Sequence, residues 1–269
     1  MKLTLANYYT KENKYLSNSK ISDYLKSPNY FYRKHITHEI KPKGSEAFVI
    51  GSGVDYLLAQ DEVKPNYVVV ERRNLKNPPE GIIEVNQSQY DEIFSLADAV
   101  ASTDVYKDID KNFKKQVILK YDYAIGKHFV GICGLPDFIK VTKDEIIIVD
   151  LKTSRTTDPR KYFYHCKEFN YFNQQAQYQN IAMLMYPGRK KISSYHLVVS
   201  KEKDIYDVQL FLLNQREIDK AANVVNRAIF EIANRLIWSR PNIKWSDAIE
   251  LNDPTTSFED LIEYLVEEE

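Results

Sequence analysis

Between Gly134 and Lys152 the chain reads Gly-Leu-Pro-Asp-Phe-Ile-Lys-Val-Thr-Lys-Asp-Glu-Ile-Ile-Ile-Val-Asp-Leu-Lys. Two apolar runs rich in β-branched residues flank a short polar stretch, the pattern of an antiparallel hairpin. With Thr142 to Glu145 as a four-residue loop, Val141 pairs with Ile146, Ile139 with Ile148, and Asp137 with Asp150. Asp150 and Lys152 stand two apart on a strand, so both side chains leave the same face. Directly opposed residues bring their Cβ atoms to ~4.5–5.5 Å. Two carboxylates at that spacing repel, and a lysine on the same face cannot serve both equally. A divalent cation can, and hard oxygen donors select Mg²⁺ or Mn²⁺ over zinc. Such an ion polarises a phosphoryl oxygen and activates water. Lys152 would orient that water or neutralise charge building on phosphorus. The pattern therefore points to metal-assisted phosphodiester hydrolysis.

The surrounding pattern predicts one α/β domain with a mixed central sheet flanked by helices. Helices are expected from Ser19 (capped by Ser19 or Ser22), over 46–60 and over 87–101. Tyr67 to Val70 is a short strand. Gln116–Tyr123, His128–Cys133 and Glu145–Lys152 form a three-strand meander, with Gly126-Lys127 as the first turn. Residues 158–187 are helical with a break near Asn170. Strands follow at 192–200 and 205–213, then a long helix over 215–238. The domain is expected to span 1–240, leaving 241–269 as an acidic tail with a short helix at 257–266.

Charge sharpens this. The 269 residues carry a net charge of −1, but residues 241–269 hold one basic and nine acidic side chains, a net of −8, so 1–240 carries +7. A basic body with an acidic end suits a polyanion partner as well as an ordinary solvated surface. The longest apolar runs, such as Ile181 to Tyr186, are far short of a bilayer span, and the N-terminus makes a poor signal peptide. A cytoplasmic protein without a membrane partner is the expectation. Cys133 and Cys166 are two cysteines, too few for an iron–sulfur cluster or an all-cysteine zinc site. Both are expected as buried thiols.

These motifs resemble the PD-(D/E)XK nuclease superfamily, and within it the RecB-like and exodeoxyribonuclease VIII (RecE)-like exonucleases often carried by phages. Pro136-Asp137 and Asp150-Leu151-Lys152 match its two defining elements. Gln174 and Tyr178, in Asn173-Gln-Gln-Ala-Gln-Tyr178, are similar to the Gln-x-x-x-Tyr element on the following helix and share a helix face. Ser19 to Tyr32 resembles the N-terminal Ser-x-Leu-x-x-Tyr…Cys-Pro…Phe segment, with Ser27 before Pro28 in place of cysteine; no iron–sulfur cluster is expected. Gly51-Ser-Gly-Val-Asp55-Tyr-Leu-Leu58 resembles a helix that normally supplies a ligating histidine.

The resemblance implies a restriction-endonuclease-like fold and a Mg²⁺-dependent deoxyribonuclease, with Mn²⁺ able to substitute. It implies Asp137, Asp150 and Lys152 as catalytic residues. Asp137, Asp150 and the Leu151 carbonyl are the implied metal ligands. Asp55 is either a further ligand or a helix-surface residue. Gln174 and Tyr178 would border the site. Gln116 lies where some relatives have a glutamate ligand, which questions a second ion. Ser154 and Arg155 follow the active strand, where DNA backbone would pass. An exonuclease in recombination or repair is implied, with DNA as substrate, a single-strand annealing protein as partner and a ring homo-oligomer. An endonuclease of the same superfamily and a catalytically inactive DNA-binding or assembly module are the alternatives. His35 and His38 sit in a basic segment with Arg33 and Lys34, as phosphate contacts or as partly exposed, inert residues; His128, His165 and His196 show no ligand spacing.

Overall fold

The computed structural model describes residues 3–10, 13–40, 46–59, 66–70, 82–125, 128–202 and 205–237. Gly126-Lys127 and everything past 237, including the expected acidic tail and its helix, lie outside the described residues.

A short helix α1 (Leu5–Tyr8) precedes α2 (Asn18–Lys26) and α3 (Pro28–Phe31), which runs into a π-helical turn at Tyr32–Ile36. The N-cap of α2 is Ser17 rather than Ser19 or Ser22, so the helix starts earlier than the capping pattern suggested. Pro28 opens α3 at its first position, where its missing N–H costs nothing. Then come α4 (Glu46–Ala59), β1 (Asn66–Val69), β2 (Ile82–Val85), α5 (Gln87–Ser102) and α6 (Asp104–Asn112). Asn86 and Gln89 form a capping box that fixes the start of α5.

The sheet region contains β3 (Lys114–Lys115), β4 (Leu119–Ile125), β5 (His128–Gly134), β6 (Phe138–Val141) and β7 (Glu145–Ser154). Next are α7 (Pro159–Glu168), α8 (Tyr171–Met185), β8 (Lys191–Ser200), β9 (Val208–Leu212) and α9 (Gln215–Ile237). The central sheet has the order β3-β6-β7-β8-β9. Only β7 and β8 run parallel, joined across α7 and α8. The other three pairings are antiparallel, which makes the sheet mixed.

The expected meander is not formed. β4 and β5 make their own two-stranded sheet, and β7 pairs instead with β6 and β8. The reason lies at Gln116. Its φ of 43° ends the strand direction, and its N–H donates to the Asp137 carbonyl at 2.9 Å. The chain thus leaves the central sheet after β3 and starts β4 in a new direction. The outer edge of β5 is covered by Leu16, which exchanges backbone hydrogen bonds with Gly131 and Cys133.

Alternation along β7 sorts the core into two layers. Ile146 and Ile148 pack with Ile139, Ile181, Val198 and α9 on one face. Val149 and Leu151 pack with Phe138, Leu197, Val54 and α5 on the other. Tyr24 and Phe31, from α2 and α3, are core residues at 3% and 1% exposure and serve packing. Cys133 and Cys166 are free, buried thiols.

The break between α7 and α8 falls at Asn170, in the left-handed conformation (φ 57°, ψ 35°). Asparagine tolerates this region and β-branched residues do not. Asn170→Gly is expected to leave stability within about 0.5 kcal/mol, while Asn170→Val costs about 1–2 kcal/mol. Urea unfolding of both variants checks it; equal midpoints would show that the turn is not held in this conformation.

Candidate active site

The hairpin register is the one the turn spacing predicted. Val141 lies opposite Ile146 and Ile139 opposite Ile148, with Phe138 opposite Val149 as the last pair. Asp137 stands one step beyond the ladder. Its carboxylate, rather than its backbone, holds β7: Oδ2 accepts the Leu151 N–H at 2.7 Å. Period-two alternation puts Asp150 and Lys152 on the face of Ile146 and Ile148. Asp150 is 2% exposed and Asp137 9%. The Lys152 ammonium donates to Asp150 Oδ2 and stands 4.8 Å from the centre of the Tyr171 ring.

Asp55 approaches from α4, whose apolar stripe Ile50, Val54 and Leu58 packs on the opposite layer. A Cβ on Gly51 would meet Thr153 Oγ1 at 3.4 Å, an ordinary van der Waals contact, so α4 packs directly on the end of β7 there. Asp55 reaches the end of β7, where it interacts electrostatically with Lys152 and Asp150. Burial raises its carboxyl to about 7; Lys152 opposes the rise and Asp150 adds to it. Asp137 is raised well above the carboxylate range by burial, then by Asp150 and Asp55, against Lys152 and the Leu151 N–H. Burial works to lower the Lys152 ammonium, but Asp150, Tyr171 and Asp137 outweigh it, and the net shift is upward. Three carboxylates thus share one ammonium in a poorly solvated place, a deficit of positive charge.

That deficit fits a hard cation. Asp137 and Asp150 are oxygen donors, each with one oxygen already committed, to Leu151 and to Lys152 respectively. As arranged, no group of three His, Cys, Asp or Glu side chains among the described residues forms a ready cage. The donor set therefore suits an ion that keeps much of its water shell, as Mg²⁺ does, better than one needing a full protein cage.

The charge deficit makes a testable statement about the protein without metal. A carboxylate whose folded pKa exceeds its unfolded value holds a proton that the unfolded chain has lost. Stability therefore falls as pH rises from about 4 through about 7, and the penalty is complete above that. Asp55→Asn removes it, and at pH 8 in EDTA the variant is expected to melt about 4 °C higher than the parent. The gain should vanish below pH 4. A gain independent of pH would mean that Asp55 is not held in this cluster.

The remaining expected residues divide. Gln174 and Tyr178 do share a face of α8: Gln174 Nε2 donates to the Tyr178 hydroxyl at 3.0 Å, and that hydroxyl donates to the Leu135 carbonyl at 3.1 Å. They hold the backbone that leads into Asp137. Ser154 is buried, with Oγ 3.2 Å from His165 Nδ1, and Arg155 is exposed. Both line a cleft of about 810 Å³ together with Asp55, Leu151, Lys152 and Lys201. Gln116 meets the site through its backbone and sits in a turn rather than on a strand.

Sequence reasoning missed Tyr171 and His196. His196 lies opposite Asp150 in the β7–β8 ladder. It is fully buried; burial and then Lys152 push its pKa well down, so it is neutral. Its Nδ1 is 2.7 Å from the Tyr162 hydroxyl, and the Tyr171 ring packs edge-on at 5.5 Å. No spacing rule links these residues to Asp150, since they come from three elements.

The model of a PDDEXK-like domain of unknown function (DUF3799) matches residues 17–240. Among solved structures, the chain is similar to the crystal structure of a "Putative exonuclease" from Eubacterium rectale. The two share 17% identity and a TM-score of 0.61, covering 93% of this chain and 97% of that one. The structure of SSO0001 matches at 15% identity over 76% of this chain and 93% of that one, with a TM-score of 0.30, too low to establish a common fold. No curated protein matches the chain.

Proposed function

The chain belongs to this PDDEXK-like family, and on that premise we propose that it is a Mg²⁺-dependent deoxyribonuclease acting as an exonuclease. The observation that carries the reading is the charge imbalance at the end of β7. Lys152 donates to Asp150 and interacts electrostatically with Asp137 and Asp55.

In this reading Asp137 and Asp150, with the Leu151 carbonyl and Asp55, hold the ion, and Mn²⁺ can replace Mg²⁺. When bound, the ion supplies Lewis-acid polarisation of the phosphate. Lys152 does the rest of the charge work. Water oxygen bonds to phosphorus, the bond from phosphorus to the leaving sugar oxygen breaks, and a proton ends on that oxygen. Lys152 orients the water or offsets the charge that builds on the phosphoryl oxygens. The Tyr171 ring face keeps the ammonium in place by a cation–π contact. Tyr178 and Gln174 fix the approach to Asp137. Ser154, Arg155 and Lys201 offer donors to the DNA backbone in the cleft. The same reading makes DNA recombination or repair the setting, in a bacterial or phage-infected cytoplasm. A single-strand annealing protein and further copies of the chain are the expected partners. No helix among the described residues is long and apolar enough to cross a membrane.

The test is degradation of linear and covalently closed circular DNA in Mg²⁺, Mn²⁺ or EDTA. Loss of linear DNA alone, blocked by EDTA, is the expected result. Relaxation of the circle would make the protein an endonuclease. Binding without cleavage of either form would make it an inactive DNA-binding module.

A further inference from the structure

The acidic cluster stands between two hollows. The cleft already described lies on the side of Asp55 and Lys152. A second hollow of about 500 Å³ lies beyond Leu135, Gln174 and Tyr178, walled by the N-terminal segment. Tyr178 lines this hollow and its hydroxyl donates to the Leu135 carbonyl, two residues before Asp137.

The second hollow has a different character. Lys14, Lys20 and Lys34 line it, with His35 and His38, and no Asp or Glu among the described residues does. Two of the cations are held in place. Lys34 donates to the buried Asp23 at 2.7 Å, and His35 meets the same carboxylate at 2.8 Å, so His35 is partly exposed, as the sequence suggested, but anchored. Lys20 is tied to the Asn13 and Tyr15 carbonyls. Lys14 is exposed. At the mouth, Tyr9 is 79% exposed, braced edge-on by Tyr8 at 4.9 Å, and within electrostatic reach of Asp137, Asp55 and Asp150. An exposed, braced aromatic ring beside fixed cations is the combination that binds single-stranded nucleic acid: bases stack, phosphates pair. The volume of the hollow, about 500 Å³, suits a nucleotide or two.

Resting on the nuclease reading, we propose that this hollow is a nucleotide subsite for the single DNA strand whose phosphodiester lies at the acidic cluster. Tyr9 is its stacking platform, and Lys14, Lys20 and Lys34 are its phosphate contacts. A strand crossing from the cleft to this hollow passes Asp137 and Asp150. One strand is thereby drawn away from its complement at the site of cleavage.

The experiment is fluorescence anisotropy of a labelled 12-nucleotide single-stranded DNA with the full chain in EDTA, where nothing is cut. Tyr9→Ala/Lys14→Glu is compared with the parent and with Lys143→Glu, an exposed charge reversal in the β6–β7 turn that matches the change in net charge. The double variant is expected to bind about tenfold or more weakly, with a shallower salt dependence. In Mg²⁺ its loss falls on KM rather than kcat. Binding within twofold of the parent, or equal weakening by Lys143→Glu, overturns the subsite. Failure of the nuclease reading shows separately, as absence of DNA degradation by the parent itself.

Discussion

Lys152→Ala and Asp150→Ala are each expected to lower Mg²⁺-dependent DNA degradation by roughly 10³-fold or more, a loss of about 4 kcal/mol of transition-state stabilisation. The two variants should nevertheless differ as proteins. Asp150 is 2% exposed, and Lys152 is its cation. Removing the ammonium leaves three neighbouring carboxylates without compensation, and a buried ion stripped of its partner costs about 3–5 kcal/mol. Lys152→Ala should therefore unfold early at pH 8 and recover toward pH 5, as Asp55 and Asp137 take up protons. Asp150→Ala relieves carboxylate repulsion while stranding a lysine against Tyr171, so its stability should depend less on pH in this range. Paired melting curves at pH 5 and 8, alongside the nuclease assay, read both effects. Metal-dependent degradation that survives Asp150→Ala would defeat the assignment. Identical pH behaviour of the two variants would dissolve the cluster.

The second large effect arises from a residue with no side chain. A Cβ placed on Gly134 would lie 2.5 Å from Tyr178 Cδ1 and 2.8 Å from Cε1. Real Cβ atoms do not come so close, so something must move. The Tyr178 ring cannot retreat easily: it is 5% exposed and its hydroxyl is bonded to Gln174 and Leu135. The strand end shifts instead, carrying Asp137 with it. Gly134→Ala is expected to cost about 2–3 kcal/mol by overpacking. A displacement of about 1 Å at a reacting group lowers activity by roughly 10²-fold. Adding Tyr178→Ala to Gly134→Ala should give back at least about 1 kcal/mol of the overpacking cost as a coupling energy. Activity should stay low, because the Leu135 anchor is then gone. Gly134→Ala with stability within about 0.5 kcal/mol of the parent would show that this contact is not made.

These predictions also separate what was legible in the residues from what was not. The β6–β7 register followed from the length of the turn at Thr142–Glu145 and the apolar alternation on either side, both local properties. The α7–α8 break at Asn170 was legible for the same reason, since a short polar side chain that tolerates positive φ interrupts two helical patterns. The meander was misread because β-propensity says that 116–123 is extended but not which strand it joins. Gln116, with φ 43°, decided that. Tyr9, Tyr171 and His196 carried no motif, and their closeness to the acidic pair became visible only with α1, α8 and β8 in place.

Order along one hairpin, and hence the shared face of Asp150 and Lys152, was written in the chain itself, because side-chain direction in a strand repeats every two residues. The approach of Asp55 from a helix on the opposite layer, the two hollows on either side of the carboxylates and the shortage of positive charge between them belong to the folded molecule. They depend on contacts between residues some 80–130 positions apart in the chain, which packing of two core layers brings together and no local periodicity encodes.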